Sequence, residues 1–160
     1  MDNIIYCEDD KIRREAISGL IKSFFPNYSL IAEPSVRYAL GKFSGIDFKG
    51  MKNISIDSLT AALKDGNVNA DTLRIVLTDG RLHDYEATTS DKRLDGWDLA
   101  EVLKNIGYQG SIIYVGGSKL EKNKADFFTK KIEKYDPDFT THLVDYLNSA
   151  IKEKAMLSRR

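Results

Sequence analysis

Asn3-Ile4-Ile5-Tyr6-Cys7-Glu8-Asp9-Asp10 opens the chain with an apolar run that stops abruptly at three consecutive carboxylates. The run is too short for a helix, and its unbroken apolarity suits a strand buried on both faces, as parallel sheets require. From Lys11 the period changes. Ile12, Ala16, Leu20, Ile21 and Phe24 recur at helical spacing, with charged residues between them, until Pro26-Asn27 ends the segment. Tyr28 to Ala32 restores a strand pattern, and Val36 to Phe43 reads as a short helix capped by the hydroxyl of Ser35. The chain thus begins β-α-β-α.

The same alternation continues after a glycine-containing stretch, 44–53. Ile54 to Leu63 is an amphipathic helical patch closed by Asp65-Gly66, an insertion before the next strand. Leu73 to Leu77 is the third strand, followed by Thr78-Asp79-Gly80 and a polar, aperiodic stretch from Arg81 to Leu94. Trp97, Leu99, Ala100, Val102, Leu103 and Ile106 form a helical stripe with Asp95 as its cap and Gly107 as its stop. Ser111 to Val115 is the fourth strand, with Gly116-Gly117-Ser118 behind it. Asp126 to Thr129, around Phe127-Phe128, is assigned as a short fifth strand, and 137–154 is the closing helix. Strands alternating with helices imply right-handed crossovers and parallel neighbours. The expectation is a doubly wound, five-stranded parallel α/β sheet, with a single domain over 1–155 and a short basic tail over 156–160.

Composition narrows the classes of function. With 42% hydrophobic and 30% charged residues, the chain is too apolar for intrinsic disorder. Lys plus Arg (24) balances Asp plus Glu (24), so no overall field favours nucleic acid, and direct nucleic-acid binding is not expected. One cysteine, Cys7, allows no internal disulfide, and Met1-Asp2-Asn3 has none of the character of a secretion signal, which points to a cytoplasmic setting. No apolar run approaches bilayer length, so membrane insertion is not expected.

In doubly wound sheets the residues just after each strand meet at one rim, where ligands bind. That rim gathers Glu8, Asp9 and Asp10 after the first strand, Asp79 after the third, and Lys130 and Lys131 after the fifth. Carboxylates a few ångströms apart repel, and the remedies are protonation or a hard divalent cation, with Mg²⁺ suited to an all-oxygen site. Such a metal would hold a phosphoryl group against Asp79 for nucleophilic attack while a lysine, Lys130 or Lys131, neutralises another oxygen. Each feature alone also has a structural explanation: the acidic triplet as a helix cap, Asp79-Gly80 as a turn, the two lysines as a solvated pair. It is their order on alternating strands that favours a shared pocket.

These residues resemble the receiver (CheY-like) domains of two-component response regulators. The acidic pair after Ile4-Ile5-Tyr6-Cys7, the Asp closing Val76-Leu77-Thr78-Asp79, and Asp95-Gly96 opening a helix all stand in that order. The resemblance implies a flavodoxin-like topology, here with insertions before and after the third strand, and a Mg²⁺ site made by Glu8, Asp9, Asp79 and the backbone carbonyl of Arg81, with Asp10 as an alternative. It implies Asp79 as phosphoacceptor, Lys130 as the phosphate-contacting lysine with Lys131 as alternative, and Gly116 or Ser118 at the position of a switch hydroxyl. It further implies a histidine kinase or phosphotransfer protein as donor and an unidentified output protein as target. The role is a signalling phosphoacceptor rather than an enzyme, self-catalysed phosphotransfer and autodephosphorylation apart. The sequence departs from the pattern in having Gly116 instead of Ser or Thr, Lys131 instead of Pro, and a longer stretch after Asp79 that includes His83, Asp84 and Tyr85. These departures prompt an alternative, a phosphorylation-independent pseudo-receiver that serves as a protein-binding module. A Mg²⁺-dependent phosphohydrolase on the same rim is a third reading.

Overall fold

A computed structural model describes residues 2–48, 50–51, 53–82, 94–117 and 122–158, the side chains of Lys122 and of residues 154–158 excepted. The strands are β1 (Asn3–Cys7), β2 (Ser29–Glu33), β3 (Leu73–Thr78), β4 (Ser111–Gly116) and β5 (Lys130–Glu133). Between them run α1 (Lys11–Phe24), α2 (Val36–Ser44), α3 (Ile56–Asp65), α4 (Gly96–Asn105), the single turn α5 (Lys122–Ala125) and α6 (Phe139–Ser158). The five strands form one sheet in the order β2-β1-β3-β4-β5, every neighbouring pair parallel. This is the doubly wound topology that the alternation of apolar runs and amphipathic stripes requires.

Side chains alternate across the sheet and build two cores. Ile4, Tyr6, Ile75, Leu77, Ile113 and Val115 point to the side covered by α1 and α6, where Ile17, Ile21, Leu143 and Leu147 meet them. Ile5, Cys7, Val76 and Ile112 point to the other side and are covered by α2, α3 and α4 through Leu40, Leu59, Leu63, Leu99 and Leu103. The helical patch before β3 is therefore an extra helix of this second layer, packed against α4. Its start is set by Ser55 and Ser58, each of whose hydroxyls accepts the other's backbone N–H. Cys7 is fully buried and burial pushes its thiol pKa up, so it packs as a small apolar side chain and not as a nucleophile.

Two boundaries differ from expectation by four residues. The closing helix continues to Ser158, through much of the stretch assigned to a tail. More consequential, the fifth strand is not 126–129 but Lys130–Glu133. Phe127 and Phe128 lie in a turn after α5 and pack against the α2–α4 core, and Thr129 anchors the approach by accepting the Ile112 N–H at 2.7 Å. An edge strand needs only its inward residues to be apolar. Here Ile132 alone is buried, which disguises Lys-Lys-Ile-Glu as a solvated segment.

Candidate functional site

All five strands deliver their carboxyl ends to one edge. Cys7 pairs with Thr78 across β1 and β3, and the Asp79 N–H donates to the Cys7 carbonyl at 3.0 Å, so Glu8 and Asp79 leave adjacent strands at the same level. As a result, one carboxylate oxygen from each of Glu8, Asp9 and Asp79 lies within 4.8 Å of the others. Asp10 is not part of this cluster. It caps α1, its Oδ1 accepting the Arg13 N–H at 3.1 Å, and faces solvent.

Glu8 is fully buried and Asp79 only 8% exposed. Both Glu8 carboxylate oxygens lack a hydrogen-bond donor, although two cations approach Oε1, Lys134 Nζ at 3.3 Å and Arg13 Nε at 3.5 Å. Burial first, and then the charge of Asp79, push the Glu8 pKa up to about 8, with Lys134 pulling in the opposite direction. A buried carboxylate without hydrogen bonds, beside two more carboxylates, is the hard oxygen donor set that fits Mg²⁺.

The lysine of the site is Lys134, where the sequence reading names Lys130 with Lys131 as its alternative. Lys134 Nζ donates to Asp79 Oδ2 at 2.6 Å. Burial alone would favour loss of its proton, but the hydrogen bond and charge of Asp79, followed by Glu8, hold its pKa above the usual lysine value. Lys130 instead stacks over the Tyr146 ring at 5.5 Å, and Lys131 pairs with Glu133 at 3.1 Å. The correction follows directly from the displaced strand: moving β5 by four residues moves the residue after it from 130 to 134. The other missed cation, Arg13, extends from the first turn of α1, reaches Glu8, and lies 5.5 Å over the ring of Tyr135.

The remaining rim is built by close backbone approach. Asp79 Oδ1 accepts the N–H of Gly80 at 2.7 Å, and the Gly80 carbonyl accepts the N–H of Gly96 at 2.7 Å. A Cβ on Gly96 would lie 1.9 Å from the Asp79 carbonyl oxygen, so only glycine lets α4 begin against the acceptor loop. Asp95, which caps α4, accepts the Leu82 N–H at 3.0 Å and ties the residues after Asp79 to the helix. Trp97 rests on Gly80, and Lys124 lies 4.1 Å over its ring. Arg81, whose carbonyl the resemblance assigns to the metal, sits in an exposed bend two residues past Asp79. Gly116 ends β4 beside Tyr114, whose phenol oxygen lies 2.6 Å from where a Cβ on residue 116 would be. Ser118, His83, Asp84 and Tyr85 lie outside the described residues.

No family model matches the chain, and no curated protein matches it. Solved structures do. A response regulator receiver domain protein from Clostridium thermocellum superposes with a TM-score of 0.64 at 16% identity, covering 98% of this chain and 99% of that one. The N-terminal domain of a response regulator/sensory box/GGDEF 3-domain protein from Carboxydothermus hydrogenoformans gives 0.63 at 14% identity, with 98% and 99% coverage. A CheY-like receiver domain protein from Methanospirillum hungatei JF-1 gives 0.61 at 14% identity, with 98% of each chain covered. The chain has the receiver fold over nearly its whole length, at a sequence distance where only the fold carries over. Among the described residues no helix is long and apolar enough to cross a membrane.

Proposed function

We propose that this chain is a signalling receiver that accepts a phosphoryl group on Asp79 from a phosphohistidine of a kinase or phosphotransfer protein in the cytoplasm, and passes the signal on by protein contacts. The observation that supports it is the convergence of Glu8, Asp9 and Asp79 within 4.8 Å, with Lys134 bonded to the Asp79 carboxylate. In this reading Glu8, Asp9, Asp79 and the Arg81 carbonyl would hold Mg²⁺, which would supply charge neutralisation for the incoming phosphoryl oxygens. An Asp79 carboxylate oxygen attacks phosphorus, the O–P bond forms, and the N–P bond to the donor histidine breaks, with the electron pair returning to the imidazole. Lys134, already at Oδ2, moves onto a phosphoryl oxygen. The Gly80 N–H keeps its hold on Oδ1 and fixes the direction of attack.

A titration of the Trp97 emission tests the site. Trp97 is the only tryptophan and leans on Gly80. Mg²⁺ should change its intensity saturably, and beryllofluoride should produce a second, Mg²⁺-dependent change that is lost in Asp79→Asn. A second reading, a phosphorylation-independent binding module, is favoured by Gly116, which offers no side-chain hydroxyl, and by Lys134, which already neutralises Asp79. It predicts no beryllofluoride response and unchanged partner affinity in Asp79→Asn.

A further inference from the structure

Arg13 occupies a position that its own helix disfavours. It lies in the first turn of α1, which Asp10 caps and which carries no acidic residue. The free N–H groups there are the positive end of the helix dipole, so a guanidinium at this point is repelled by the helix that bears it. What offsets the repulsion is Glu8, fully buried, whose Oε1 lies 3.5 Å from Arg13 Nε. Helical side chains lean back over the preceding turn, which carries Arg13 from α1 toward the rim. Lys134 also approaches Oε1, at 3.3 Å, but it donates to Asp79 Oδ2 at 2.6 Å and is held there. Arg13 is thus the cation whose ion pair is with Glu8. Its guanidinium also lies 5.5 Å over the ring of Tyr135, which is 81% exposed.

The same Glu8 is one of the three carboxylates whose oxygens converge as a divalent cation requires. Both of its oxygens lack a hydrogen-bond donor, so the guanidinium is held to it by charge alone and has no bond to break on leaving. A metal ion at Glu8 and Arg13 repel each other across a space with little water to screen them. We propose that Arg13 is an internal counter-ion that competes with the divalent cation for Glu8, and that metal entry passes its guanidinium to the face of Tyr135; the role rests on the metal site of the reading above. The ring is a second seat for the displaced charge. Metal affinity is thereby set below what three carboxylates alone would give, and metal occupancy is reported at an exposed aromatic on the rim. Arg13 opposes a proton on Glu8 too, but the metal carries twice the charge, so loss of Arg13 favours the metal over the proton.

Mg²⁺ titrations of the full chain, followed by Trp97 emission, compare wild type, Arg13→Met and Lys11→Met, the last removing an exposed charge from the same turn of α1. The expected result is roughly tenfold tighter Mg²⁺ binding in Arg13→Met and a change of less than about twofold in Lys11→Met. Equal or weaker binding in Arg13→Met, as a merely structural ion pair predicts, or the same gain in Lys11→Met, overturns the role of Arg13 and leaves the metal site standing. No saturable response in any of the three proteins brings down both. Should Arg13→Met not fold, a crystal structure of wild type with Mg²⁺ decides: Arg13 Nε belongs beyond about 4 Å from the Glu8 carboxylate, with the guanidinium on the Tyr135 ring. An Arg13–Glu8 ion pair kept beside the bound metal contradicts the proposal, and a crystal without metal at Glu8 contradicts the metal site as well.

Discussion

Glu8 is a carboxylic acid held where its charged form is disfavoured, and this makes the metal-free protein sensitive to pH in a defined direction. Its folded pKa of about 8 stands above the ordinary 4.5, so the folded state retains a proton that the unfolded state releases. The stabilisation is fully present below about pH 4.5 and is lost as pH rises through about 8. Urea denaturation in chelator between pH 5 and 8 should show a decline of order a few kcal/mol from this group, and Glu8→Gln should flatten it. A Glu8→Gln profile as steep as wild type would contradict the assignment. Mg²⁺, which competes with that proton, should bind more tightly as pH rises. Lys134 gives a second contrast at this scale. Lys134→Met should slow phosphoryl uptake from a small-molecule donor by roughly a hundredfold, while Lys130→Met changes it by less than about twofold, as read by the rate of protein phosphorylation. Equal effects would return the role to the residue that the sequence alone suggests. Glu8, Asp9 and Asp79 are legible in the sequence because strand order alone brings them together. Lys134 is not, since it depends on the exact end of an edge strand.

Among the elements, the start of α4 is the joint that holds the acceptor loop. Gly96 approaches the Asp79 carbonyl so closely that a methyl group must displace the helix or the loop. Gly96→Ala should lower stability by roughly 3 kcal/mol in urea denaturation. Gly19, on the exposed side of α1 with nothing within 4 Å of its Cβ position, should respond in the opposite sense, Gly19→Ala gaining up to about 1 kcal/mol. Similar effects at both positions would mean that helix propensity, not the contact with Asp79, governs Gly96. β1, β3 and β4 are legible because each is a largely apolar run buried on both faces, and the edge strand β2 because Leu30-Ile31-Ala32 stays apolar although only Ile31 is buried. β5 is not, because at the sheet edge only Ile132 turns inward, whereas Phe127 and Phe128 look like a strand and serve as a hydrophobic turn. The insertion before β3 reads correctly as helical, but only tertiary packing on α4 gives it a place.

For the whole molecule, the parallel sheet is the device that turns separate sequence segments into a site. Two cores fix the heights of β1 and β3 relative to each other, and the register between Cys7 and Thr78 brings the carboxylates together. The fold is shared with receiver domains at identities of 14–16%, so what carries over from them is the fold. The central claim is that Asp79 is the phosphoacceptor of this site. Intact-protein mass spectrometry after incubation with acetyl phosphate tests it most directly, with the adduct mapped by borohydride reduction. One phosphoryl group on Asp79, formed with Mg²⁺ and absent in chelator and in Asp79→Asn, is the predicted result; no adduct on the folded wild-type protein with Mg²⁺, or an adduct that persists in Asp79→Asn, would contradict it.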